Sequence, residues 1–213
     1  KLLGVVNFPN FQTSMELTKE IVKLKPVAVE LVDRTMIELC RANPVFAPVI
    51  ADALVRVNGQ ETDALLLVEF AGENKDELSR SLDALDVLMA DHGLAGATVK
   101  FIEPARQSAL WEVRKAGLNI MMSLRGDGKP VSFIEDCAVP LENLAEYTTK
   151  LTEIFAKHGT QGTWYAHASV GTLHVRPILD MRRDGAAKMR AIAEEASQWV
   201  RRFKGAFSGE HGD

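Results

Sequence analysis

The sequence predicts an α+β fold built from ferredoxin-like β-α-β units, with an antiparallel sheet covered by helices. Two observations carry this. Within the first hundred residues, a strand-length apolar run, an amphipathic helix and a second apolar run occur twice in succession. No low-complexity linker interrupts the chain, and the remainder again alternates strands with helices, so the sheet should be extended or doubled.

The first unit opens with "LLGVVNF". Residues 12–24 place Met15, Leu17, Ile21 and Leu24 at mostly helical spacing, and "PVAVELVD" returns to strand. Residues 35–62 interrupt the pattern with two short helices and the turn signal Asn58-Gly59. "DALLLVEFAG" opens the second unit. Its helix has Asn74 as N-cap and Glu77 at N3, a stripe of Leu78, Leu82, Leu85 and Met89, and an end at Gly93. "ATVKFIEP" closes it.

After Pro104 one long helix is expected through "RQSALWEVRKAGLNIMMS", broken by "GDGKP" ahead of a strand "VSFIEDCAVP". A helix over residues 141–158 carries Leu144, Leu151 and Phe155. The last helix, residues 184–204, sets Met189, Ile192, Ala196, Trp199 and Phe203 on one side and ends at Gly205.

Composition narrows the function classes. Of 213 residues, 46% are hydrophobic and 25% charged, enough for a sizeable core in one large or two small domains. Net charge is -4 and no basic run is longer than a pair such as Arg182-Arg183 or Arg201-Arg202, which argues against nucleic acid as a partner. No apolar stretch approaches the roughly 18 residues of a membrane helix, and no signal-peptide pattern opens the chain. A cytoplasmic location, at most peripheral to the inner membrane, is the expectation. Cys40 and Cys137 sit in apolar contexts, as buried free thiols rather than a disulfide or an iron-sulfur site. The chain starts at Lys1 and stops inside a glycine-rich turn, which reads as a piece of a longer protein.

Two segments carry chemistry. "WYAHASVGTLHVRP" holds His167 and His174 equally far from Val170-Gly171, so a hairpin turning there would set them directly opposite, with Cβ atoms about 4.5–5.5 Å apart. A loop over residues 169–172 would keep them facing. The pair reads either as two metal ligands or as one core and one solvated imidazole. "SGEHGD" places Glu210 and His211 side by side between glycines; extended backbone would point them to opposite faces. It reads as an ordinary loop, or as the carboxylate that joins two histidines in the open-sided ligand set of a catalytic divalent ion.

These segments resemble known motifs. "HASVGTLH" is similar to the motif His-Ala-Gly-Asp-Gly-Asn-Leu-His, and "SGEHGD" to Ser-Gly-Glu-His-Gly-x-Gly, of the C-terminal domain of FAD-linked oxidases in the vanillyl-alcohol oxidase superfamily. "VELVDRTMIEL", "LLVEFAG", "LWEVRKAG" and "EDCAVP" follow the family's order. The wording around "LNIMMS" and "WYAHASVGTLHVRP" is closest to large members of D-2-hydroxy-acid or D-lactate dehydrogenase type that carry an iron-sulfur domain downstream.

The resemblance implies that residues 1–213 are a substrate- and metal-binding domain whose FAD is bound mainly by a preceding domain, so that the chain alone would not turn over. It implies His167, His174 and Glu210 as ligands of a divalent metal, zinc or manganese; His211 as general base; and Arg114, in "WEVRKAG", as the grip on the carboxylate of a small D-2-hydroxy acid. The electron acceptor beyond the flavin is left open, and an iron-sulfur cluster would lie outside this chain. Ser169-Val170 replaces the Gly-Asp of the commoner motif. Leu118 and Ile134 stand where enzymes acting on 2-hydroxyglutarate present polar groups, which weakens a dicarboxylate substrate; Arg176 either compensates or closes a salt bridge, and Lys115 reads as a solvated helix charge. The rival readings are a non-catalytic ferredoxin-like module with a structural ion or none, and a free-standing metal hydrolase.

Overall fold

The continuous apolar runs of the first unit are explained by burial on both faces. Strands β1 (Leu2–Phe8) and β3 (Ala64–Phe70) are buried at every position, which removes the alternation expected of a strand with one wet face. The structure, a computed structural model, describes residues 1–210 apart from the Leu118 side chain. It contains one seven-stranded sheet in the order β4-β1-β3-β2-β6-β7-β5. The other strands are β2 (Ala28–Asp33), β4 (Thr98–Phe101), β5 (Lys129–Pro130), β6 (Gly162–His167) and β7 (Thr172–Leu179), and every pairing is antiparallel. The first four strands keep the ferredoxin-like order, and β6, β7 and β5 extend the same sheet.

Helices cover both faces. Helices α1 (Phe11–Val22), α4 (Lys75–Asp91), α7 (Leu144–Lys157) and α8 (Gly185–Arg202) pack on the main core around Val6, Leu31, Leu66, Ala166 and Val175. Helix α4 begins as its sequence demands: the Asn74 side chain accepts from the N–H groups of Asp76 and Glu77, and Leu78, Leu82, Leu85 and Met89 are buried. Helices α2 (Arg34–Ala42), α3 (Ala47–Ala53), α5 (Pro104–Lys115) and α6 (Gly117–Met122) build a second core on the opposite face, around Leu3, Val5, Leu65, Leu67 and Phe101. Cys40 and Cys137 are both buried and lie apart, Cys137 in the main core and Cys40 in the second.

Three expectations differ from the structure. The long helix after Pro104 is two helices, α5 and α6, meeting at Ala116. A Cβ on Gly117 would lie 2.2 Å from the Met36 methyl, so the chain passes close to α2 there. "VSFIEDCAVP" forms no strand; it runs irregularly, with Ala138 alone bridging to Thr172 on one side and Ala206 on the other. In the histidine hairpin the turn occupies residues 168–171, one position earlier than expected. Gly171 adopts φ 72° at its end, and His167 pairs with Thr172 while His174 pairs with Tyr165. The two histidines are therefore diagonal neighbours on one face rather than directly opposed.

Candidate active site

Strand alternation decides which side chains reach the site. In β6, Trp164 and Ala166 enter the main core, which leaves Tyr165 and His167 on the other face; in β7, Leu173 and Val175 do the same and leave His174 and Arg176. Val29 and Leu31 of β2 likewise send Glu30 to that face, directly opposite His167 in the register. The second core reaches this half of the sheet only through Val32 and Tyr165. Polar side chains therefore collect there without displacing the apolar packing.

Each histidine is oriented through its Nδ1. His167 Nδ1 lies 2.7 Å from Glu30 Oε1, and His174 Nδ1 lies 2.7 Å from the Glu135 carbonyl oxygen. Both partners are acceptors, so in the neutral rings Nδ1 carries the proton and Nε2 the lone pair. The rings meet edge to face with centroids 4.9 Å apart. The hydrogen bond to Glu30 raises the pKa of His167 against the opposing effect of burial, whereas burial lowers that of His174.

Glu210 comes from the far end of the chain and is set by Asp136. The Asp136 Oδ2 accepts from Ser208 Oγ at 2.7 Å and from the Glu210 N–H at 3.2 Å, and its carbonyl accepts from the Gly209 N–H at 2.8 Å. The Glu210 Oε2 then stands 3.4 Å from His167 Nε2 and 3.3 Å from His174 Nε2. All three ligating atoms lie within 4.8 Å of one another. Metal–ligand bonds near 2.1 Å in tetrahedral array separate neighbouring donors by about 3.4 Å. The donor set and its spacing fit a divalent ion.

Two arginines flank this cluster on a common platform. The Arg114 guanidinium carbon lies 4.6 Å, and that of Arg176 5.5 Å, from the centroid of the Tyr165 ring. Arg114 Nη2 donates to Glu30 Oε2 at 2.8 Å, and its buried Nε has no hydrogen-bond partner among the described residues. Arg176 donates from Nε to Glu135 Oε2 at 2.6 Å and closes on the same oxygen with Nη2. Burial acts to raise the Glu135 pKa, but hydrogen bonds from Ser132 and Arg176 outweigh it and lower the value.

Of the residues singled out from sequence, His167, His174 and Glu210 converge, and Arg114 stands beside them through Glu30. Arg176 closes a salt bridge with Glu135 at the flank of the cluster, Lys115 is exposed and pairs with Glu112, and Ile134 is buried in the main core. His211 lies outside the described residues, as does the Leu118 side chain. Glu30, Glu135, Asp136 and Tyr165 were not anticipated. For Glu30 a signal existed: a carboxylate interrupting the apolar run "VAVELV".

Comparison with known proteins identifies the family. D-2-hydroxyglutarate dehydrogenase of Escherichia coli (strain K12) is 30% identical over 97% of the chain, which covers 21% of that protein. A D-lactate dehydrogenase of Anaerostipes hadrus is 25% identical over 73% of the chain and 32% of its own length. The chain thus spans about a fifth of the length of the D-2-hydroxyglutarate dehydrogenases it matches. Among solved structures, 4-ethylphenol oxidase from Gulosibacter chungangensis superposes with a TM-score of 0.63 at 12% identity, over 96% of this chain and 44% of that one, which establishes a shared fold. The model of the FAD linked oxidases, C-terminal domain, matches residues 1–213 throughout, and the chain belongs to that family.

Proposed function

We propose that this chain is the substrate side of an FAD-dependent dehydrogenase that oxidises a small D-2-hydroxy acid to the 2-oxo acid. The carrying observation is the convergence of two imidazole Nε2 atoms and one carboxylate oxygen within 4.8 Å. His167, His174 and Glu210 hold a divalent ion, zinc or manganese. A bound ion would supply Lewis acidity toward the substrate hydroxyl, and FAD, held by a preceding domain of the same polypeptide, would supply the hydride acceptor. Arg114 binds and orients the substrate carboxylate with the guanidinium edge that Glu30 leaves open. His211, adjacent to Glu210, takes the hydroxyl proton, a role that suits an imidazole titrating near neutrality. Any iron-sulfur cluster belongs outside this chain, a reading supported by the burial of Cys40 and Cys137 in different cores. The relatives named for 2-hydroxyglutarate favour that acid and D-lactate as the first substrates to try.

The test is isothermal titration of zinc and of manganese into the wild type, His174→Ala and Glu210→Ala. A stoichiometric site in the wild type, lost in both variants, supports the reading. Equal binding by all three would place any ion elsewhere and withdraw the ligand roles.

A further inference from the structure

Glu30 has an unusual environment for a carboxylate. It lies in the middle of β2, 9% exposed, between Val29 and Leu31 of the main core. An ionised carboxylate removed from water is costly unless it is paired and hydrogen-bonded. Glu30 meets both conditions with two different partners, one on each oxygen: His167 Nδ1 at 2.7 Å on Oε1 and Arg114 Nη2 at 2.8 Å on Oε2. Its place opposite His167 in the β2–β6 register fixes the first contact, and the Tyr165 ring under the guanidinium fixes the second.

We infer that Glu30 is the positioning residue of the cation site: it holds His167 as the Nδ1–H tautomer with Nε2 turned to Glu210, while Arg114 occupies its other oxygen. The inference rests on His167, His174 and Glu210 being a cation site. Its chemistry is that of an outer carboxylate behind a histidine ligand, which fixes ring orientation and raises ligand basicity. The two histidines are backed unequally, since His174 leans on a neutral carbonyl. His167 is also the more exposed ring, 35% against 6% for the His174 side chain, so fewer packing contacts hold it in place. Loss of the outer partner should therefore be felt at His167 and not at His174.

The test uses Glu30→Gln, which keeps the volume. A carboxamide has one acceptor oxygen for two donors, and the charged guanidinium takes it. The amide nitrogen is then left facing His167 Nδ1, which turns that ring to the Nε2–H tautomer. Long-range proton–nitrogen spectra of the imidazoles, recorded without metal, should show His167 changing tautomer and His174 unchanged. Arg114→Met should leave both tautomers in place because Oε1 is untouched. Zinc affinity by titration should fall roughly 10–100-fold in Glu30→Gln.

An unchanged His167 tautomer together with a zinc Kd within threefold of wild type would overturn the inference. Should wild type bind zinc and Glu210→Gln lose it while Glu30→Gln does not, only the role of Glu30 falls. Should wild type and Glu210→Gln fail alike to bind, the cation-site reading falls, and with it the inference. If Glu30→Gln does not fold, Glu30→Asp, which withdraws the same charge by one methylene, goes through the same two measurements.

Discussion

Replacing Gly171 with alanine should damage both the fold and the site, by an amount that can be divided into parts. Gly171 ends the histidine hairpin at φ 72°, and a left-handed conformation costs a residue with a side chain about 1–2 kcal/mol. A Cβ there would also stand 2.0 Å from the Val139 carbonyl oxygen. That oxygen belongs to backbone and cannot rotate aside, so residues 137–139 must move. They are tied to the hairpin by Val139 N–H to Gly171 O at 3.1 Å and Leu173 N–H to Cys137 O at 3.0 Å, each contributing about 1 kcal/mol. The expected loss is about 3–4 kcal/mol, or roughly 6–16 °C in Tm for a chain of this size. Gly93→Ala is the control, because its φ is 77° and a Cβ there meets nothing within 4 Å; it should lose only the conformational part. The displaced segment also carries Asp136, which holds Glu210, so zinc affinity should fall in Gly171→Ala and not in Gly93→Ala. Thermal unfolding and zinc titration read both effects. Equal Tm values for the two alanine variants would refute the clash argument, and unaltered zinc binding would refute the link through residues 136–139.

Two further outcomes follow from buried titratable groups. Burial pushes the Asp33 carboxyl up to about 7 from an ordinary 3.8, against the N–H groups of Met36 and Trp164 that favour its charge. Because the folded value is the higher one, its stabilising contribution is complete below about pH 3.8 and is lost as pH rises through about 7, a change on the order of 4 kcal/mol. Asp33→Asn removes this dependence, so urea titrations should show the variant gaining on wild type between pH 4 and 8; parallel stability curves would contradict the assignment. Burial likewise pushes the Cys40 thiol up to about 11. Native Cys40 should resist iodoacetamide at pH 8 and react at the rate of unfolding, and rapid labelling under native conditions would show the second core to be open.

The first unit was legible because local signals and tertiary environment agree there. Asn74 caps α4 as its spacing implies, and the stripe Leu78, Leu82, Leu85 and Met89 is the face that the core buries. Disagreement begins where a distant residue decides. Gly117 fits helical periodicity, yet the approach of Met36 divides the helix there. "FIEDCAV" has strand composition, yet its backbone donors are taken by the hairpin turn and by the segment near Ala206, two partners that no local pattern specifies. The hairpin itself was readable and its register was not: equal spacing of His167 and His174 suggested direct opposition, but Gly171 takes the left-handed position at the end of the turn and shifts the pairing by one residue. The trio His167, His174 and Glu210, which the structure brings together, stood out from two motifs. Its supports were hidden because Glu30, Glu135 and Asp136 lie more than thirty residues from the groups they hold.

The division between ligands and supports has a physical basis. His167 and His174 project from two hydrogen-bonded strands, so their separation is set by the sheet before any ion arrives. Glu210 is different: its side chain is about half exposed, and its backbone hangs on one carboxylate, Asp136, that also takes Ser208. Two rigid nitrogens and one oxygen on a separately anchored segment would, under the proposed reading, let the carboxylate adjust to the size of an ion while the imidazoles stay fixed. The charges follow the same logic. Each arginine on the Tyr165 ring is answered by its own glutamate, Arg114 by Glu30 and Arg176 by Glu135, and each glutamate also steadies one histidine, the first through its side chain and the second through its carbonyl. A substitution at Glu30 therefore disturbs Arg114 and His167 together, whereas one at Glu135 disturbs Arg176 and leaves the carbonyl behind His174 in place, so double-mutant cycles should be non-additive across Arg114, Glu30 and His167 and additive between the Glu135 side chain and His174.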